Sequence, residues 1–255
     1  MWEESTLYPF PVQFTDDKGN LVLTDLFEDE QVNKILWDHF VPVMIPEFQY
    51  EELFAKIDGK RSGNYINKFN DDSIKIMDAN GNILNVNESN TGLLDLRDFI
   101  NRYALNTVYL QPNLLSYREN KSSVSAIRLA LAYYDFAIFS KKDIKKEIIN
   151  LGNIYLEEAN AFLETEQLED KQLLLQRNQL HELKQYLVLD RPKKVLRDLK
   201  KMKNEQILDQ NVPLYAFLNY TANKMLEKDR DAEVWKSDVS LVDLKKAELI
   251  INSTN

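Results

Sequence analysis

Ser123-Val-Ser-Ala-Ile-Arg-Leu-Ala-Leu-Ala-Tyr-Tyr-Asp-Phe-Ala-Ile-Phe139 is the stretch on which the fold turns. Alanine, leucine and aromatic residues fall on most sides of a helix drawn through it, which predicts a central, covered helix rather than a surface one. Ser122 and Ser123 are residues suited to capping its start. A helix covered on most faces needs neighbours, and the chain downstream supplies them. Residues 142–164 carry Ile144, Ile148, Leu151, Tyr155, Ala159 and Phe162 as one stripe. Residues 167–189 place Leu173, Leu180 and Leu187 seven apart with Leu183 between them, a short coiled-coil-like seam. Helices are expected at 192–208 and 213–228, each opening on a first-turn proline. A last one, 240–251, opens on Ser240-Leu-Val-Asp243, the pattern of a capping box with aspartate at the acidic position. Residues 121–255 therefore read as an all-α bundle of about six helices.

Upstream the physics changes. Residues 1–120 hold 20 acids and 10 bases, net −10, whereas residues 121–255 hold 21 and 22, net +1. Five of the seven prolines and five of the six glycines precede residue 120. Residues 12–23 and 74–84 each alternate toward an Asp, Gly and Asn turn, and Asn80-Gly81 is a strong hairpin signal. Helices are expected at 28–40, 46–57 and 93–105, and a short strand at 107–110. The fold class is mainly α: an acidic N-terminal α+β domain with two β-hairpins, residues 1–120, followed by the helical bundle.

Two segments stand out as interaction candidates. Leu7-Tyr-Pro-Phe-Pro-Val-Gln-Phe14 is held extended by Pro9 and Pro11, and Tyr8, Phe10 and Phe14 offer large apolar contacts. It reads as an edge strand entering the first hairpin or as an arm packing on a neighbouring subunit. Residues 184–203 contain eight bases against Asp190 and Asp198, net +6. Drawn as a helix, this stretch turns Val195, Leu196, Leu199 and Met202 inward and spreads Lys193, Lys194, Arg197, Lys200 and Lys201 outward. Such a face suits solvent, an acidic protein surface or phosphates.

The catalytic inventory is thin. There is no cysteine, and His39 and His181 are the only histidines. Zinc-type histidine pairs, a Glu-x-x-His pair, a nucleophile elbow and phosphate-binding glycine loops are all missing from the sequence. The Asp16 and Asp78 turns lack the glycine and glutamate spacing of a calcium loop. No metal, cofactor or catalytic residue is therefore expected. The nearest approach to an active-site pair is Arg177 and His181, one helical turn apart beside Lys184 and Gln185, on a face expected to be solvated. The longest apolar run, 129–139, is broken by Asp135 and falls well short of the ~20 residues a membrane span needs. With an acidic start at Met1-Trp-Glu-Glu4, the expectation is cytoplasmic synthesis without a membrane partner.

These features lead to the expectation of a non-enzymatic structural or adaptor protein. It would assemble with copies of itself and with neighbouring components, a head-to-tail connector of a viral particle being one such setting. The alternatives are a nucleic-acid-associated regulator acting through 184–203 and a hydrolase or nuclease without a recognisable motif.

Overall fold

The computed structural model describes residues 1–16, 18–86, 93–202 and 207–254. The chain is mainly α with an α+β N-terminal part, and it divides into two compact units, Met1–Asn106 and Thr107–Asn255.

In the first unit, β1 (Pro11–Thr15) pairs antiparallel with β2 (Leu21–Asp25). Asp16 builds the turn between them by accepting from the amides of Lys18 and Asn20, and Gly19 takes the left-handed backbone there (φ 83°). Helix α1 (Glu30–His39) begins where Asp29 accepts from the Gln31 and Val32 amides. Helices α2 (Tyr50–Ile57) and α3 (Gly63–Asn70) follow. A second hairpin joins β3 (Lys75–Met77) to β4 (Ile83–Val86), and Asp78 repeats the turn chemistry of Asp16. Strand β5 (Leu94–Asp95) lies parallel to β1, giving the sheet order β2-β1-β5, and α4 (Leu96–Tyr103) continues directly from it. Val12, Phe14, Val32, Leu94, Leu96 and Phe99 are buried.

Two details depart from the sequence expectation. The segment expected to be helical from residue 93 opens as a strand, because Val12 and Gln13 of β1 offer it a partner. Helix α3 was not expected, since Gly63, Asn64, Asn67 and Asn70 are poor helix formers. Burial of Tyr65 and Phe69, one turn apart, overrides that local preference.

The second unit contains α5 (Gln111–Glu119), α6 (Ser123–Ile138), α7 (Lys145–Thr165), α8 (Lys171–Val188), α9 (Pro192–Met202), α10 (Val212–Met225), α11 (Asp229–Glu233) and α12 (Leu241–Thr254). Residues 107–110 form a turn leading into α5 rather than a strand. Pro112 sits in the first turn of α5, and Tyr117 carries that helix onto the bundle. The Tyr117 ring meets Tyr155 of α7 edge-on at 5.1 Å, and its hydroxyl donates to Glu158. The division therefore falls after Asn106, ahead of residue 120.

Helix α6 is the covered helix its composition predicts, with Ala126, Leu129, Ala130, Tyr133, Tyr134 and Ala137 buried. Ser122 and Ser125 form a reciprocal cap at its start. Its closest partner is α7, where Gly152 lies against Tyr134. A Cβ at residue 152 would stand 2.7 Å from Tyr134 Cε1 and 3.1 Å from the Ala130 carbonyl oxygen. Gly152→Ala is expected to cost about 1–3 kcal/mol by overpacking, read as a lower midpoint of thermal unfolding. The loss should shrink in a Tyr134→Val background. A Gly152→Ala protein that melts like the parent would show that the helices do not approach this closely.

Candidate functional site

Part of the polar face of α8 is drawn into the bundle, contrary to the sequence expectation of a solvated one: Asn178 and Lys184 are buried and Arg177, His181 and Gln185 are half-buried. Lys184 is buried, and its ammonium lies 2.5 Å from Asp135 Oδ1 of α6. Lys246 of α12 reaches the other oxygen of the same carboxylate at 2.8 Å. Burial works to raise the Asp135 carboxyl, but the two ammonium groups outweigh it and hold the acid below its ordinary range. Lys184 is shifted down because burial outweighs the carboxylate's pull in the opposite direction.

Neighbouring positions on α8 make similar ties. Arg177 donates from Nε to Asn211 Oδ1 and from Nη2 to the Gln210 carbonyl, both at 3.0 Å. Asn178 donates to Asn160 of α7 at 2.8 Å. Gln185 accepts from Asn153 of α7 at 3.0 Å, and Asn153 in turn accepts from the Tyr134 hydroxyl at 2.5 Å. Polar residues at helical spacing thus stitch α8 to α6, α7 and residues 210–211, and Lys246 ties α12 to the same carboxylate of α6.

His181 sits within this seam, with a buried Nδ1 that has no hydrogen-bond partner among the described residues. Burial, and then the charges of Lys184 and Arg177, push its pKa down to about 3. The imidazole is therefore neutral near pH 7 and a weak proton acceptor, poorly matched to acid–base work there. Arg177 and His181 share a helix face as expected, but both are half-buried there and Arg177 is tied to residues 210–211.

The arm residues separate. Tyr8 is 73% exposed, whereas Phe14 is 5% exposed and belongs to the core of its own unit. Phe14 is thus not available to a neighbouring subunit, because β1 is the central strand and Phe14 points to its covered face. Phe10 is half-buried, with its ring 6.2 Å from Phe27 and its amide donating to Asp25 Oδ2.

The basic stretch also separates. Lys184 belongs to the interior, as described. On α9, Val195 and Leu199 are buried while Lys193, Arg197, Lys200 and Lys201 are exposed. Lys194 lies over the Tyr186 ring at 3.6 Å. Arg197 and Lys201 share the carboxylate of Asp198, at 3.2 and 2.9 Å. Lys193 and Lys200 make no ion pair among the described residues, and Lys203 lies outside them.

A surface not anticipated from the sequence lies in the first unit. Trp37, Val41, Val43, Met44 and Phe48 are all exposed within twelve residues of chain, Val41 at 80% and Phe48 at 83%. The backbone beneath them is fixed. The Met1 ammonium donates to the Val43 carbonyl, the Ile45 amide to that of Met1, and the Glu3 amide to that of Ile45. Trp2 anchors this pairing, its ring edge-on to Phe69 at 5.1 Å and its indole N–H donating to the Phe69 carbonyl. The signal in the sequence was Phe40-Val-Pro-Val-Met-Ile-Pro46, an apolar run that two prolines keep out of a helix.

Among the described residues, no helix is long and apolar enough to cross a membrane, and no group of three or more histidine, aspartate or glutamate side chains is arranged to hold a metal ion. Comparison with protein-family models, with curated proteins and with solved structures found no match.

Two predictions arise from the seam. Asp135→Asn leaves the Lys184 ammonium buried without its counter-charge, and a loss of about 3–5 kcal/mol in denaturant unfolding is expected. Restoring an apolar pair with Asp135→Leu and Lys184→Met should recover most of it. The second concerns pH. The folded His181 pKa is depressed, so its stabilising contribution is complete above the unfolded value near 6.5 and is lost as pH falls toward 3. The thermal midpoint of the parent should therefore drop more steeply over that window than that of His181→Asn. Superimposable pH profiles would disprove the depressed value.

Proposed function

We propose that this chain is a structural or adaptor protein that joins a larger assembly through its first unit. The observation that carries the reading is the exposed strip Trp37, Val41, Val43, Met44 and Phe48 on a pinned backbone. Single exposed apolar residues are ordinary, but five within twelve residues of chain concentrate apolar surface in the way an interaction site does. Exposed Leu7 and Tyr8 add to the apolar surface of the same unit. The weakly basic His181 removes one route to catalysis and so supports a binding role over the hydrolase alternative. The finer setting of a viral connector, made in the cytoplasm and incorporated into a particle, draws its support from the acidic first unit, which suits repeated charge-complementary contacts.

Native mass spectrometry and light scattering across a concentration series test the reading. Self-association is expected, and Val41→Ser with Phe48→Ser should shift the population to smaller species without lowering the thermal midpoint, because both residues are exposed. A strict monomer at every concentration would overturn assembly through this strip.

A further inference from the structure

Strand β2 is an open edge. In the order β2-β1-β5 it has one neighbour, and no other described strand pairs with it. The Asn20 carbonyl accepts from Asp16 and the Leu26 amide donates to Phe10, both 2.9 Å, and the β1 register runs between those contacts. Backbone groups alternate sides along a strand, so even positions face β1 and the amides and carbonyls of Leu21, Leu23 and Asp25 face outward. The Leu21 and Leu23 side chains, two apart and therefore on one face, are 72% and 69% exposed. Edges are ordinarily blunted by lysine, proline or a bulge, and β2 has none of these.

The flanking charge selects the occupant. Residues 16–30 hold six acids against Lys18 alone, and residues 1–106 hold 19 acids and 9 bases, net −10. A second copy would bring the same acidic strand to the edge, whereas a basic segment brings the complementary field. Asp25 has both oxygens engaged by the Phe10 and Phe27 amides, so it leaves the edge free to pair.

We propose that the β2 edge binds an extended basic peptide of a partner protein by strand addition. The peptide's main chain meets the outward groups of Leu21, Leu23 and Asp25, and its apolar residues lie beside the two leucines. This edge shares no residue with the strip at Trp37–Phe48, and the proposal does not rest on it.

Fluorescence anisotropy tests it, using the full chain and an end-capped peptide of alternating valine and threonine flanked by lysine pairs. Saturable binding at low salt that weakens as salt rises is expected, and the glutamate-flanked counterpart should not bind. N-methylation of consecutive central residues removes main-chain donors and should weaken binding about tenfold or more. Leu23→Pro deletes an outward N–H that β1 does not use and should weaken binding similarly. If that variant fails to fold, Leu21→Thr with Leu23→Thr keeps strand propensity while removing the apolar contact, and the N-methylated peptide leaves the protein untouched. Val41→Ser with Phe48→Ser should bind the peptide as the parent does, so this site and the strip fail independently. The proposal is overturned by absence of binding at low salt, or by binding indifferent to N-methylation and to both strand variants. A chain dimer that Leu23→Pro dissolves would equally overturn it, assigning the edge to a second copy.

Discussion

The carboxylate of Asp135 accepts from two ammonium groups carried by two different helices, and the helical unit is organised around that contact. Helix α6 is covered on most sides, and Asp135, the one acid it carries, sits half-buried in its last turn. Lys184 from α8 and Lys246 from α12 answer it within 2.8 Å. A buried pair of this kind contributes little net stability over an apolar substitute, but it strongly penalises any register in which one partner is missing. The preceding residue does comparable work toward α7. Tyr134 lies across Gly152 and donates to Asn153, so it demands both a missing side chain and an acceptor at adjacent positions. Two consecutive residues of α6 therefore position three helices.

This division of labour explains what could be read in advance. Helix existence was legible where a long stripe of apolar residues met a cap or a first-turn proline, as at Ser122, Pro192, Pro213 and Ser240, but not in the nine-residue α5, although Pro112 opens it. Helix α3 was not, because its asparagines and glycine argue locally against what Tyr65 and Phe69 gain by burial. The polar stripe of α8 is the more instructive case. Spacing places Arg177, His181, Lys184 and Gln185 on one side, and a polar side is by default a wet one. Whether it is wet or matched depends on Asn153, Asn211 and Asp135, which lie 32, 34 and 49 residues along the chain from Gln185, Arg177 and Lys184, and periodicity within one helix carries no information about them.

Charge, too, has a different distribution in the fold than along the chain. As a string, residues 184–203 look like a concentrated cationic face. In the fold Lys184 is internal, Lys194 rests on an aromatic ring, and Arg197 and Lys201 converge on Asp198. Phosphate recognition gains affinity with each free cation it can neutralise, and these contacts leave fewer free cations than the string of residues 184–203 suggests. The first unit shows the opposite behaviour. Its excess of acids has few bases to meet, and its field extends to whatever approaches.

That field coincides with apolar side chains the unit cannot bury. A five-residue central strand flanked by β2 and a two-residue β5 covers one face and leaves Leu21 and Leu23 outside. The strip from Trp37 to Phe48 is different in origin, since Met1, Trp2 and Glu3 are engaged in fixing the backbone from which it projects. A mobile loop that exposed the same residues would lose conformational entropy on binding, and a pinned one has already been ordered by folding. The aromatic anchor at Trp2 thus links the stability of the first unit to the readiness of its surface. Loosening Trp2 would free residues 43–45 from the N-terminus even with every exposed residue unchanged, because the backbone there is held by Met1, Trp2 and Glu3.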